Sequence, residues 1–473
     1  MGISLNPSTL LNGQGLDVSS LVQEILSDSD GQLTQWQDQQ STLQTQASDL
    51  TSINSDLNSL ASAVQALTDP LGALTALSAT SSDNNILTAN VSSAATAGTS
   101  QIVVNNLATA GTVYTNDFAG GPNASILPSG ATSGEIDLQI GGSGGTVVPI
   151  TITAGSNDTL NTLASYINSQ NLGVTASVVT DANGSRLALN SQSTGSAAAL
   201  AITSNNTELN FEAPTGGANA SLTIDGVPYS SASNTITGAI PGVTLNLAGA
   251  NPNETVQLAV GADPAQITDA INNFVAAYNQ VIGDINQEVT VNSSTNSLGP
   301  LGTDSSISDL QSSLLADAGF AVSGNSAGYV NLASLGINTN DDGTLTVNAS
   351  QLASELASNP GAVQSFFQNA SATGFANNFN TDLTNLTDPT TGPLNVDLTQ
   401  NNAEQQDLTN SINNFETQLT TEQTNLTNEF NQVNASLQAY PLLLEQVTET
   451  LATLGSGGTS TTNSLAPTLT SGL

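Results

Sequence analysis

The chain has 473 residues, with 38 Asp and Glu against a single cation, Arg186, for a net charge of −37. Only 8% of its residues are charged, against about 25% in ordinary soluble proteins, so the imbalance comes from missing Lys and Arg, replaced by Asn, Gln, Ser and Thr. Such a chain cannot neutralise phosphates or bind anionic lipid, which excludes nucleic acid and acidic membranes as partners; with no Cys and no His it also lacks cysteine nucleophiles, Ser-His-Asp triads, disulfides and the common zinc sites. The length suggests roughly three domains. No run of about 18 apolar residues is present, so no membrane span is expected. The opening "MGISLNPSTLLNGQG" has neither a basic nor an apolar signal region, and no cleaved signal peptide is expected.

The first predicted element is a helix beginning in "GLDVSSLVQEIL". Asp17 suits the N-cap, with Leu16 and Leu21 at the positions of a hydrophobic staple. Val18, Leu21, Val22, Ile25 and Leu26 follow helical spacing. The pattern continues through Leu33, Trp36, Leu43, Ala47, Leu50, Ile53, Leu57, Leu60, Val64 and Leu67 in steps mostly of three and four, a narrow seam of coiled-coil type. It is irregular at Leu50–Ile53–Leu57, and Asp69-Pro70 is expected to stop or kink it.

From about residue 80 to 260, short Val, Ile, Thr and Leu runs such as "GEIDLQIGG", "VVPITITAG", "SRLALNSQ" and "ASLTIDG" are broken by Gly, Asn, Pro and Ser. These read as strands and tight turns. One helix interrupts them, "NDTLNTLASYINSQN", with Asn157 or Asp158 as its cap. A long amphipathic helix follows with Pro264 near its first position. Further helices are predicted at 305–318, 349–357, 360–369 and 373–386, with a hairpin in "GYVNLASLGINTNDDGTLTVNAS".

A second seam closes the chain: Leu408, Ile412, Phe415, Leu419, Leu426, Phe430, Val433, Leu437, Leu444, Val447, Leu451 and Leu454, interrupted by Pro441. Two narrow seams need partners, and the economical arrangement pairs them antiparallel. No i, i+4 Glu–Lys pair can support them, the chain having no Lys, so both are expected to be labile, with proteolysis leaving about residues 80–393.

The chemistry-like motifs have plainer readings. Asn338, Asn340, Asp342 and Gly343 match half of a calcium loop, but Ala349 stands where the bidentate Glu belongs, so a turn is expected. "GGSGG" at 141–145 is not followed by a Lys or a helix start, and reads as a connection between strands. Arg186 is either a specific ion-pair partner or a solvated strand-edge residue; the second reading is favoured because an exposed pair contributes little. No catalytic residue, metal site or cofactor is expected.

Four segments carry a resemblance: "GLDVSSLVQEIL", "NTLASYINSQNLGVTASVVTDANGSRLALNSQSTGSAAALAI", "NTITGAIPGVTLNLAG" with "AINNFVAAYNQVI", and "LASLGINTNDDGTLTVNASQLASELASNPGAVQSFF". In that order they resemble the flagellar filament-capping proteins, the hook-associated protein 2 family. The sparse Lys and Arg are a departure. The resemblance implies an α+β protein: an antiparallel terminal coiled coil and a helical leg, with an inserted β-rich head of two lobes. It divides the chain into a disordered export and docking segment (1–14), N-terminal coiled-coil helices (15–79), an inner head lobe (80–113 and 220–262), an outer lobe (114–219), a leg with a β-hairpin (263–395), a C-terminal coiled-coil helix (396–455) and a disordered tail (456–473).

The same resemblance implies a structural, non-enzymatic cap at the distal end of the filament, outside the cell, that promotes ordered insertion of exported flagellin. Its implied partners are further copies in a ring-like homo-oligomer, flagellin, the hook–filament junction proteins, and the flagellar type III export apparatus with its chaperone. Docking would use the coil residues Leu21, Ile25, Leu43, Leu50, Leu57, Leu60, Leu419, Leu426, Phe430 and Leu437. Ile271, Phe274, Tyr278, Phe366 and Phe367 are candidates for leg packing or oligomer contacts, since a ring with so few cations must associate through apolar and neutral groups. Another axial flagellar protein, such as a hook–filament junction protein, or a surface adhesin is the alternative.

Overall fold

The computed structural model describes residues 17–294, 296–369 and 371–455; the expected export segment 1–14, Leu16 and the tail 456–473 lie outside them. Helix α1 (Val18–Thr68) is one unbroken helix of 51 residues. It stops where Asp69-Pro70 predicts, with Asp69 in the extended backbone that a following Pro imposes. The irregular step at Leu50–Ile53–Leu57 marks a change of surroundings. From Leu50 onward the apolar face is buried in the core of the leg, whereas Leu43, before it, lies outside that core.

Each β lobe is inserted into the previous layer. Strand β1 (Leu77–Ser81) leaves the leg beside β14 (Val256–Ala262), which returns to it, and Leu77 sits opposite Ala262. The five-stranded inner sheet runs in the order β1, β14, β3 (Gly98–Asn106), β10 (Ala220–Ile224), β11 (Val227–Ser231). A three-stranded sheet of β12 (Thr235–Ile240), β13 (Val243–Leu247) and β2 (Leu87–Val91) packs with it around Leu87, Ile102, Val104, Leu222, Leu245 and Val256. Strands β10 and β11 are joined by Asp225-Gly226, both at positive φ, the two-residue turn that an Asp-Gly pair favours.

The outer lobe leaves and re-enters where the Thr109 and Ala218 main chains exchange hydrogen bonds of 2.9 and 3.3 Å. It holds the sheets β4 (Ala110–Tyr114)–β8 (Ser185–Thr194)–β7 (Val174–Thr180) and β6 (Thr146–Thr153)–β5 (Ser133–Ile140)–β9 (Leu200–Asn205), with helix α2 (Leu160–Ser169). Residues 110–113, on the inner side of the expected boundary, therefore lie in an outer-lobe strand. Pro149 is tolerated in β6 because that strand is at a sheet edge. "GGSGG" turns the chain from β5 to β6. A Cβ on Gly145 would sit 2.1 Å from the Ile140 carbonyl oxygen, so the motif is a tight connection. The cap of α2 is Thr159, which exchanges side-chain and backbone bonds with Thr162. Neither expected cap serves, because Asn157 is bonded to the main chain of β6 and Asp158 accepts from Ser125.

The leg follows: α3 (Pro264–Val289), α4 (Ser305–Ala318), the hairpin β15 (Ile337–Thr339) and β16 (Leu345–Val347), then α5 (Ala349–Ser358), α6 (Pro360–Phe367), α7 (Phe375–Leu386) and α8 (Pro393–Gly455). Phe375 is the hub of its core, within 6 Å of Phe274, Phe366, Phe367 and Phe379, centroid to centroid. Helix α8 runs through Pro441 without a break, contrary to the expected interruption. The ring removes one N–H and frees one carbonyl on a stretch exposed on every side, where water can satisfy that carbonyl. No helix among the described residues is long and apolar enough to cross a membrane.

Candidate functional site

The surface that stands apart from the three cores is the terminal coil, and its start is set locally. The Ser20 N–H donates to Asp17 Oδ1 at 3.2 Å, and its hydroxyl donates to Oδ2 at 2.6 Å. These bonds, the hydroxyl's first, hold the Asp17 carboxyl below its ordinary value.

Helices α1 and α8 run antiparallel, and neutral groups fix their register. Asn54 Nδ2 donates to Asn395 Oδ1 at 3.0 Å, Asn401 Nδ2 to Gln46 Oε1 at 3.4 Å, Gln405 Nε2 to the Leu43 carbonyl at 3.3 Å, and Gln40 Nε2 to Thr409 Oγ1 at 2.8 Å. Beyond them Trp36 meets Phe415 edge to face. Sequence gave no signal for this amide ladder, since Asn and Gln are abundant everywhere and only the antiparallel register selects these pairs.

The candidate docking residues divide along the coil. Leu50, Leu57 and Leu60 are fully buried in the leg core, and Leu43 is buried in the seam. Leu21, Leu419, Leu426, Phe430 and Leu437 are half-buried, and Ile25 is exposed. A groove lies between Gln23, Leu26 and Asp30 on α1 and Glu416, Leu419 and Gln423 on α8. Continuing that register puts Val18 beside the turn of α8 that holds Phe430. Helix α8 then goes on for about six more turns. Along them Val433, Leu437, Tyr440, Leu444, Val447, Leu451 and Leu454 alternate steps of four and three, a regular heptad seam. Apart from the half-buried Leu437 it is exposed, from 48% at Val433 to 76% at Leu454.

The leg candidates lie elsewhere. Ile271, Phe274, Tyr278, Phe366 and Phe367 are all at 0% exposure inside the chain's own leg core. Of their two candidate roles, packing within the leg is the one this burial fits, and oligomer contacts call for another surface. Arg186 is an ion pair, against the favoured reading: its Nε and Nη2 donate to the two oxygens of Asp117 at 2.6 and 3.0 Å. The two-pronged geometry that a guanidinium offers a carboxylate accounts for it. Asn340 and Asp342 spend their side chains on Thr344 and Thr346 within the hairpin turn.

Two family models share the ends of this architecture. The model of the flagellar hook-associated protein 2 N-terminus matches residues 14–111, and that of the hook-associated protein 2 C-terminus matches 217–440. The chain belongs to the flagellar hook-associated protein 2 family. Between the two models, the flagellin hook IN motif covers 135–193 of the outer lobe. The B-type hook-associated protein 2 of Pseudomonas aeruginosa is 28% identical over 370 residues, 70% of this chain and 75% of that protein. The hook-associated protein 2 of Campylobacter jejuni is 30% identical over a shorter stretch, 31% of this chain and 24% of its own length. Among solved structures, the D1-D2-D3 domains of the Escherichia coli flagellar cap protein FliD match with a TM-score of 0.51 at 26% identity, covering 75% of this chain and 99% of that one. In this chain a leg carries a nested two-lobed head, and the C-terminal family model ends at 440, before the distal half of the heptad seam.

Proposed function

We propose that this chain is the structural cap at the distal end of a bacterial flagellar filament, where it promotes ordered insertion of exported flagellin. Family membership over both ends of the chain supports the cap, and disfavours a junction protein or an adhesin. The observation that carries the docking half is the exposed seam from Val433 to Leu454. A regular apolar stripe on a long helix is stable in water only against a partner of matching period, which the filament tip would supply. The head then lies at the far end of the leg, away from the coil. The role is mechanical, needs no cofactor, and calls for copies of the chain side by side in a ring-like homo-oligomer. Its other partners are flagellin, the hook–filament junction proteins, and the type III export apparatus with its chaperone, which would deliver the chain outside the cell without a cleaved signal peptide.

Electron microscopy of a deletion strain tests this. Filaments should be absent or short, with flagellin monomer in the medium. Complementation with a chain carrying Leu444→Asn and Leu451→Asn should leave the same defect, although that chain is exported and folded in its leg and head. Filaments of normal length in the deletion strain would overturn the cap; normal filaments with the double variant would overturn docking through the seam.

A further inference from the structure

We propose that this chain is built to fold and work in a strongly acidic medium, with carboxyl groups facing one another between the leg helices as contacts that a proton completes. The inference stands apart from the capping role and rests on two independent observations.

The first is geometric. Asp317, on α4, is only 4% exposed, and its Oδ2 is buried with no hydrogen-bond donor in reach. The groups that face it are Asp382 on α7 and Tyr278 on α3, and the Tyr278 hydroxyl is directed to the Leu314 carbonyl. Two ionised carboxylates have no proton to share, so the orphaned oxygen is satisfied only when a carboxyl is protonated. Burial first, then Asp382, pushes Asp317 up to about 8. A second row crosses the α1–α3 interface. Asp284 faces Asp56 of α1 and lies near Glu288 of its own helix; burial first, then Asp56, pushes it up to about 6. Glu288 accepts from the Leu301 N–H at 2.7 Å and faces Asp49 of α1; burial raises both of these carboxyls. The one cation of the chain is committed to Asp117 in the outer lobe, so the rows gain no charge partner.

The second is chemical. Ordinary proteins unfold in acid because protonation breaks carboxylate–cation pairs and leaves Lys, Arg and His charges repelling one another. Here full protonation takes the side-chain charge from −37 to +1, that of Arg186. Acid therefore removes self-repulsion. A group whose native pKa is raised contributes stability that is complete below its ordinary value and is lost as pH rises through the native value. For Asp317 that window runs from 3.8 to about 8. Asp17, Asp342 and Asp388 go the other way, held low first by the Ser20 and Thr344 hydroxyls and the Thr391 N–H respectively. All three are solvent-facing caps and turns, so their loss in acid is local.

The test is urea unfolding of the full chain, followed by circular dichroism, at about pH 3, 5, 7 and 9. The midpoint should be highest near pH 3 and fall by about 1 M or more by pH 9. Asp317→Asn supplies an N–H to Asp382 at any pH, and should raise the midpoint at pH 7–9 while leaving it within error at pH 3. Asp284→Asn should act in the same direction over a narrower range. A midpoint that peaks near neutrality and collapses below pH 4 overturns the proposal, whether or not the variants fold. So does an Asp317→Asn profile that runs parallel to the parent's.

Discussion

Trp36 stands edge-on to Phe415, ring centroids 5.3 Å apart and planes at 74°, and this aromatic contact joins the two coil helices just before the groove toward the start of α1. Edge-to-face pairs are worth about 0.5–1.5 kcal/mol beyond the area they bury. A double-mutant cycle with Trp36→Ala and Phe415→Ala, read by hydrogen exchange of the coil amides, should give a coupling of that size. Head amides should not respond. Zero coupling would mean that the coil is open at this point in solution.

The division of α1 at Leu50 sets a proteolysis map. The face from Leu50 to Leu67 is buried in the leg core, and the expectation that digestion reaches residue 80 gives way to an earlier stop. A protease that does not need Lys or Arg should trim the chain inward to about Gln40 on one side and Thr409 on the other, the last rung of the amide ladder. Mass spectrometry of the resistant fragment reads the ends. Cuts between Leu50 and Leu67 in the native protein would contradict the packing.

Phe375 touches four aromatic rings at once, so Phe375→Ala removes all four contacts and opens a cavity in the leg core. The loss should be about 3–5 kcal/mol, measured in the leg by urea unfolding. The head lobes have separate cores, and their transition should stay where it was.

Copies of a chain with net charge −37 repel each other when set side by side near neutral pH. Raising salt from about 0.01 to 1 M shortens the screening length from about 30 to 3 Å. Association read by sedimentation should therefore strengthen with salt. A salt-bridged ring behaves in the opposite way, and dissociation on adding salt would show that unlike charges or a bound cation hold it together.

Much of the fold was legible because its signals are local. The caps Asp17 and Asp263, the stop at Asp69-Pro70, the Asp225-Gly226 turn and the period of α3 all act within a few residues. The misses were non-local. Arg186 meets Asp117 across 69 residues of sequence, and nothing near "GSRLALN" points to that carboxylate. Thr159 displaces the expected caps of α2 because strand β6 claims Asn157. Pro441 reads as a break, but a missing N–H matters little on a helix surrounded by water. At the coil, the seam was visible as a period, but which half would be core and which half surface depends on α3 to α7 being packed against one end only.

The nesting has a consequence for the order in which the molecule can be completed. Asn54 and Asn395, which meet across the coil, are 341 positions apart in the chain, and Leu394 is part of the same core as Leu50 to Leu67. A chain that emerges from one end can finish its outer lobe once Ala218 has returned to Thr109, and its inner lobe once Ala262 has returned to Leu77. The leg cannot close until the final helix arrives, because contacts over such separations carry the largest loop-closure cost. Until then α1 has an uncovered apolar face and stays pliable, so the leg is the last part of the molecule to become rigid.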